Sequence, residues 1–272
     1  MNQIIEIDGV QYGTGLQLPS VRTSTFKAYS DAGPMLSPEQ IKDIISDPKR
    51  KAGRKRFGVD WIGNQGNMGA CNGFAGAYAL ARARVLRGLP RVMLSGFGLY
   101  AQISGGRDNG SGLEEGMSAI CENGVPPEAL VQKPTYLWSQ IPQVAKDTMR
   151  HYKAWECYRA ETEIELASGL ASGFVGVVAV HANNVWSTLD SNGIAGTSNT
   201  GVGNHAVGVD DVTIIGNEFA FDMFNSWAPR WGNEGRCFLT WKKHFVTTIK
   251  YHFFYLIRSS TDGESSPPTP KD

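Results

Sequence analysis

Residues 64–75 read Asn-Gln-Gly-Asn-Met-Gly-Ala-Cys-Asn-Gly-Phe-Ala, and the cysteine at position 71 decides how the chain is read. It closes a glycine-rich turn and opens a stretch, to about Leu86, that is rich in Ala and Leu and free of Pro. That stretch predicts a buried helix beginning at or just before Cys71, with Phe74, Tyr78, Ala79, Ala81 and Val85 on one face. A helix N-terminus presents unpaired N–H groups and a partial positive charge. A thiol placed there is expected to ionise more readily than a free one. Gln65, six residues upstream, offers a side-chain amide that can turn back toward the sulfur. An amide donor together with the cysteine's own backbone N–H is a pair suited to holding an oxyanion.

A nucleophile needs a base. His205 lies 134 residues after Cys71, at the start of an apolar β-type run, and Asn225 lies 154 residues after it, at the end of another. Gly216-Asn217 between the two runs is a hairpin signal. Pairing through that hairpin sets His205 beside Asn225. The amide of Asn225 then orients one ring nitrogen of His205 and leaves the other for the thiol.

In these residues the chain resembles the papain family of cysteine peptidases, whose nucleophile is followed by its His and Asn about 130–150 residues on. Asn64-Gln65-Gly66 and Gly69-Ala70-Cys71 resemble the family's oxyanion glutamine and nucleophile. Gly110-Ser111 and then residues 122–128 (ENGVPPE) resemble the glycine wall of the substrate cleft and the helix after it. Asn204-His205-Ala206-Val207 resembles the general-base strand, and Asn225-Ser226-Trp227 with residues 231–235 (WGNEG) the asparagine segment. The resemblance covers roughly residues 57–258, with its parts in the family's order. It implies Cys71 as nucleophile, His205 as general base and acid, Asn225 as its orienter and Gln65 as oxyanion donor. It also implies a substrate cleft walled by Gly110 and Ser111 on one side and by Gly203 and Asn204 on the other. Trp227 is expected to shield the His205–Asn225 bond from water. Three positions depart from the family: Met68 stands at a disulfide cysteine of many relatives, Asn72 at a tryptophan, and Ala228 at a glycine. The missing bridge fits a reducing compartment or a bacterial or phage-type branch.

The chain around this constellation has 272 residues, enough for one large domain or two small ones, and 41% of them are hydrophobic. That content excludes a disordered or fibrous chain. The 26 basic and 26 acidic residues balance, which disfavours nucleic acid or an acidic membrane as partner. No apolar run approaches the ~20 residues of a membrane helix, and the start lacks the pattern of a secretory signal. The expected location is therefore the cytoplasm or a viral or phage particle. No CxxC occurs among the four cysteines, so a structural zinc site is not expected; no other metal and no cofactor are expected. Cys121, Cys157 and Cys237 read as packed thiols, and His151, His181, His244 and His252 as structural histidines.

The distribution of elements predicts an α+β, papain-like fold. A helical part over 57–170 carries Cys71. An antiparallel, barrel-like β part over 171–258 carries His205 and Asn225, with the cleft between the two. A second helix is expected over about 113–122, ended by Asn123-Gly124. Residues 1–56 read as an extension, with turns at Gly13-Thr14-Gly15, Pro19-Ser20 and residues 32–34, and one short helix capped by Ser37-Pro38. It is expected to be a pro-segment or a partner-binding arm. The basic run at Lys49, Arg50, Lys51, Arg54, Lys55 and Arg56 reads first as a solvated linker, and otherwise as a processing site or anion patch. Residues 259–272, rich in Ser and Pro, read as a disordered tail. The expected activity is endopeptidase hydrolysis of a peptide or protein substrate through a thioester. The alternatives are another acyl transfer on the same residues, or a structural role in a larger assembly such as a phage particle, reached through the extension or the tail.

Overall fold

The computed structural model describes residues 3–50, 52–131, 133–196 and 201–259, so the expected disorder of the tail falls outside the described residues except for Ser259. The chain opens with an antiparallel hairpin of β1 (Gln3–Ile7) and β2 (Val10–Thr14). Three short helices follow: α1 (Tyr29–Ala32), α2 (Pro38–Ser46) and α3 (Gly53–Arg56). Ser37 caps α2 through a reciprocal box with Gln40, as the Ser-Pro start predicts.

The helical part contains α4 (Cys71–Leu86), α5 (Gly96–Ile103), α6 (Leu113–Glu122) and α7 (Gln143–Met149). The sheet is built from β3 (Glu156–Ala160), β4 (Val175–Val180), β5 (His205–Ile215), β6 (Glu218–Phe224), β7 (Arg236–Thr240) and β8 (Phe254–Arg258), with α8 (Glu163–Ala171) packed on it. All its neighbours are antiparallel, in the order β3-β8-β4-β5-β6-β7. The α+β class and the antiparallel β part are as expected. The boundary is not: β3 already joins the sheet edge at Glu156, ahead of residue 171. Its five residues (ECYRA) are mostly half-buried and carry no apolar run that would announce a strand.

Helix α4 joins the two parts. It packs against α5 and α6 on one side and against β4 and β5 on the other. Its residues are buried without a break from Cys71 to Arg84, so it is the buried helix that the sequence predicts, covered on all sides. The arginine at its centre is tolerated in the core because it is paired. Arg82 is wholly buried; its Nε donates to Asp210 Oδ2 (2.9 Å), its Nη2 to the Trp61 carbonyl (2.9 Å), and its guanidinium lies 3.6 Å over the Phe224 ring. Arg236 of β7 binds Asp210 and Asp222 from the other side. This network fixes α4, which carries Cys71, to the strands that carry His205 and Asn225.

The first 56 residues do not form a separate arm. Tyr29 and Ile41 are wholly buried in the main core, and Tyr29 packs edge-on against Tyr158 and Phe174. Two members of the basic run are held, while Lys49, Lys55 and Arg56 are exposed. Arg50 pairs with Asp211, the Gly53 N–H donates to Asp211, and Arg54 pairs with Asp222 (3.0 Å); Lys51 falls outside the described residues.

Candidate active site

Cys71 is the first residue of α4, as the glycine-rich turn before it predicts. His205 opens β5, and Asn225 comes directly after the last residue of β6. The Gly216-Asn217 turn pairs these strands, with Ile215 opposite Glu218 and Gly208 opposite Phe224. His205 Nε2 lies 2.9 Å from Asn225 Oδ1. An amide oxygen only accepts, so Nε2 carries the proton. Nδ1 is then a bare lone pair, buried and with no hydrogen-bond partner, free to take a proton from a thiol. The sulfur of Cys71 meets the backbone N–H of Ala206, the residue after His205.

Aromatic rings enclose the imidazole. Trp227 stacks on it at 4.5 Å between centroids, Trp186 meets it edge-on at 5.7 Å, and Trp231 packs against both tryptophans. Sequence reasoning missed Trp186, whose surrounding loop has no periodicity to mark it. Burial pushes His205 down to about 4, against the smaller upward pull of Asn225. Burial likewise pushes the Cys71 thiol up to about 11, while the N–H groups of Ala206, Gly15, Asn72 and Cys71 itself pull it down. The expected readily ionised thiol is therefore not what this state holds. Burial disfavours the charged form of the thiol and of the imidazole alike.

Residues 13–17 cover the site. Gln65 Nε2 donates to the Gly13 carbonyl (3.1 Å) as well as to the Met68 carbonyl (2.7 Å), and Trp227 Nε1 also donates to Gly13 (3.2 Å). The Gly13 N–H donates to the Gly66 carbonyl (3.0 Å) and the Leu16 N–H to the Asn204 carbonyl (3.1 Å). Ser111 donates to the Gly15 carbonyl (2.9 Å) and accepts from Gln17 N–H (3.0 Å). Gln17 Nε2 reaches the Gly110 carbonyl (3.2 Å), and Tyr12 stacks on the outer face of Trp227 at 4.9 Å. Gly203 completes the wall of a cavity of about 390 Å³ beside residues 14–18. Every residue expected to bind substrate thus lines the channel this segment fills.

The fit explains Gly13-Thr14-Gly15, which in the sequence looks like a turn. The segment is extended, and it needs glycine for close approach. A Cβ on Gly13 would stand 2.2 Å from the Met68 carbonyl oxygen, and one on Gly15 2.2 Å from that of Gly69. Asn72 also finds its reason: buried, it donates to Ser111 Oγ (3.1 Å) and to the Gly112 carbonyl (2.5 Å), tying α4 to the cleft wall. Asn204 uses its side chain to brace Ala182 and offers its carbonyl to the channel. Among the described residues, no group of three His, Cys, Asp or Glu is placed to hold a metal ion.

No protein-family profile and no curated protein sequence matches this chain. Solved structures do. Xylellain, a cysteine protease from Xylella fastidiosa, superposes with a TM-score of 0.64 at 17% identity, covering 96% of this chain and 99% of that one. The procathepsin B S9 of Trypanosoma congolense gives 0.61 at 14% identity, over 90% and 86% of the two chains. The ragweed pollen cysteine protease Amb a 11, in its proform, gives 0.61 at 18% identity, over 86% and 74%. The fold of this chain is that of the papain-like cysteine proteases.

Proposed function

We propose that this papain-like fold carries a cysteine endopeptidase, held in a latent state by its own N-terminal segment. The observation that carries the reading is the channel itself. Backbone groups of Gly66, Ser111 and Asn204 hold an extended peptide segment against Cys71, next to the hydrogen-bonded His205 and Asn225. Backbone-to-backbone bonding of this kind suits a peptide or protein substrate and asks little of its side chains.

With the channel free, His205 Nδ1 takes the Cys71 proton and the thiolate attacks a substrate carbonyl carbon. The Gln65 side-chain amide and the Cys71 backbone N–H hold the oxyanion. His205 gives its proton to the leaving amine, and the acyl group stays on sulfur as a thioester. Water, deprotonated by the same imidazole, then releases the acid. Asn225 keeps the ring in the tautomer that these steps need.

The reading is tested on the full chain carrying Gly15→Val, whose side chain cannot fit against Gly69. This protein should hydrolyse an unfolded protein substrate, and adding Cys71→Ser or His205→Ala should lower the rate at least ~10³-fold. Hydrolysis that survives Cys71→Ser would contradict the assignment.

A further inference from the structure

The glycine-rich turn that leads into α4 has no covalent tie to the wall of the channel, because all four cysteines are free. A chain of hydrogen bonds spans the gap instead. Gly69, two residues ahead of Cys71, donates its N–H to Asp108 Oδ1 (2.9 Å). Tyr100 of α5 donates its hydroxyl to the same oxygen (2.8 Å) and accepts from the Gly110 N–H (3.0 Å). Tyr100 is wholly buried. Burial, reinforced by the Asp108 carboxylate and opposed by the Gly110 N–H, pushes its hydroxyl up, so it stays protonated and donates. Its helix lies hard against the first turn of α4: a Cβ on Gly73 would stand 2.4 Å from the Gly96 carbonyl oxygen and 2.8 Å from Tyr100 Cβ. Asp108 itself is half-buried between exposed Arg107 and Asn109.

We propose that Asp108 is a positioning residue of this site: with Tyr100 it fixes the turn at Gly69 against the channel wall at Gly110, and so sets where the Gln65 amide and the Cys71 N–H stand. Glycines at 66 and 69 leave the turn little stiffness of its own, and its internal bond from Met68 N–H to the Gln65 carbonyl is long (3.4 Å). With the channel filled, residues 13–17 bridge turn and wall, through Gly13 on Gly66 and Gly15 on Ser111. A peptide that replaces them cannot be relied on to do the same. Two bonds then hold the turn from opposite sides: Gln65 N–H on the Ser226 carbonyl (2.9 Å) and Gly69 N–H on Asp108. Asn72 ties the helix to the wall, but not the turn before it. A hydrogen bond to a carboxylate is about twice as strong as one between neutral groups, which suits a single oxygen to this task. Oxyanion donors act by being in place before charge develops. Asp108 touches neither the sulfur nor the oxyanion; it acts through the backbone. The consequence for catalysis rests on the peptidase reading, whereas the anchor does not.

The full chain is compared with Asp108→Ala, Asp108→Asn and Tyr100→Phe, each with and without Gly15→Val. Hydrogen exchange at the Gly69 N–H, followed by NMR, reads the anchor without any activity. In the Gly15→Val proteins, kcat and KM on a peptide amide read its consequence, beside the rate of Cys71 alkylation by iodoacetamide, which develops no oxyanion. Gly69 should exchange at least ~10-fold faster in Asp108→Ala. Exchange should return close to the original rate in Asp108→Asn, whose amide oxygen still accepts both bonds. In Asp108→Ala kcat should fall by ~10–10²-fold, with KM and the alkylation rate within ~2-fold. Asp108→Asn should recover most of that loss, and Tyr100→Phe should fall between. Unchanged Gly69 exchange in Asp108→Ala overturns the inference. So does an unchanged kcat, a loss carried by KM alone, or an equal fall in alkylation and hydrolysis, which would mark a collapsed site. If Gly15→Val protein hydrolyses nothing although Cys71 is alkylated, the peptidase reading fails, and Gly69 exchange alone decides for or against the anchor.

Discussion

At the scale of single residues, the site depends on which atom of each side chain is left unpaired. Asn225 Oδ1 is taken by His205 Nε2 and by the Ser226 N–H, so the imidazole keeps one free lone pair. Gln65 is held at both ends: its Oε1 accepts from Ser226 Oγ (2.5 Å) and its Nε2 faces the Gly13 carbonyl. The segment Asn225-Ser226-Trp227 therefore holds His205, Gln65 and the Gly13 carbonyl together. Ala228, next in line, has φ of 64°, in the left-handed region where a Cβ is unfavourable. Ala228→Gly should raise unfolding stability by about 1 kcal/mol, read as a higher denaturant midpoint with unchanged slope. Cys71, His205, Asn225 and Gln65 were legible in the sequence because their order and spacing form a pattern. Tyr12 and Trp186 were not, because each acts by contact across the fold and has no neighbour in sequence that marks it.

At the scale of elements, strands β4 to β8 announce themselves as apolar runs, and α4 and α6 as helices with clear starts or stops. The hairpin of β1 and β2 and its continuation through the channel do not. Their bonds run from backbone to backbone, and the glycines that permit them look like turn residues. The basic run misled for a related reason: what neutralises Arg50 and Arg54 lies more than 150 residues away, on Asp211 and Asp222. Helix α4 is held in the same manner, by Arg82 on Asp210. Arg82→Met leaves Asp210 buried with one partner fewer, and should destabilise the protein by about 3–5 kcal/mol. Chemical unfolding measures this, and a loss under about 1 kcal/mol would mean that the network does not fasten α4.

At the scale of the whole molecule, the first 56 residues close the fold twice, over the cleft and where Tyr29 and Ile41 enter the core. Closure leaves histidines dehydrated. Burial holds His244 at about 4, with its Nδ1 accepting from the Thr240 N–H (3.0 Å) and its Nε2 3.1 Å from the Ala195 carbonyl. Between about pH 6.5 and 4 the unfolded chain binds a proton there that the native chain does not. The stability contributed by this site is thus present at neutral pH and lost as pH falls through that window. His244→Gln should make the acid-side loss shallower by up to about 1.4 kcal/mol per pH unit. Urea midpoints at a series of pH values test this, and identical slopes in the two proteins would refute it.

Cys71, once uncovered, is on this reading an activated nucleophile, and everything else in the site serves that end. The most direct measurement is the rate of alkylation by a thiol-directed epoxide, read by intact mass, on protein opened by Gly15→Val. One rapid adduct is expected, absent in Cys71→Ala and slowed in His205→Ala, with Cys121, Cys157 and Cys237 unmodified on that timescale. A Cys71 that iodoacetamide finds exposed, yet that reacts with the epoxide no faster than the other three thiols, would contradict it.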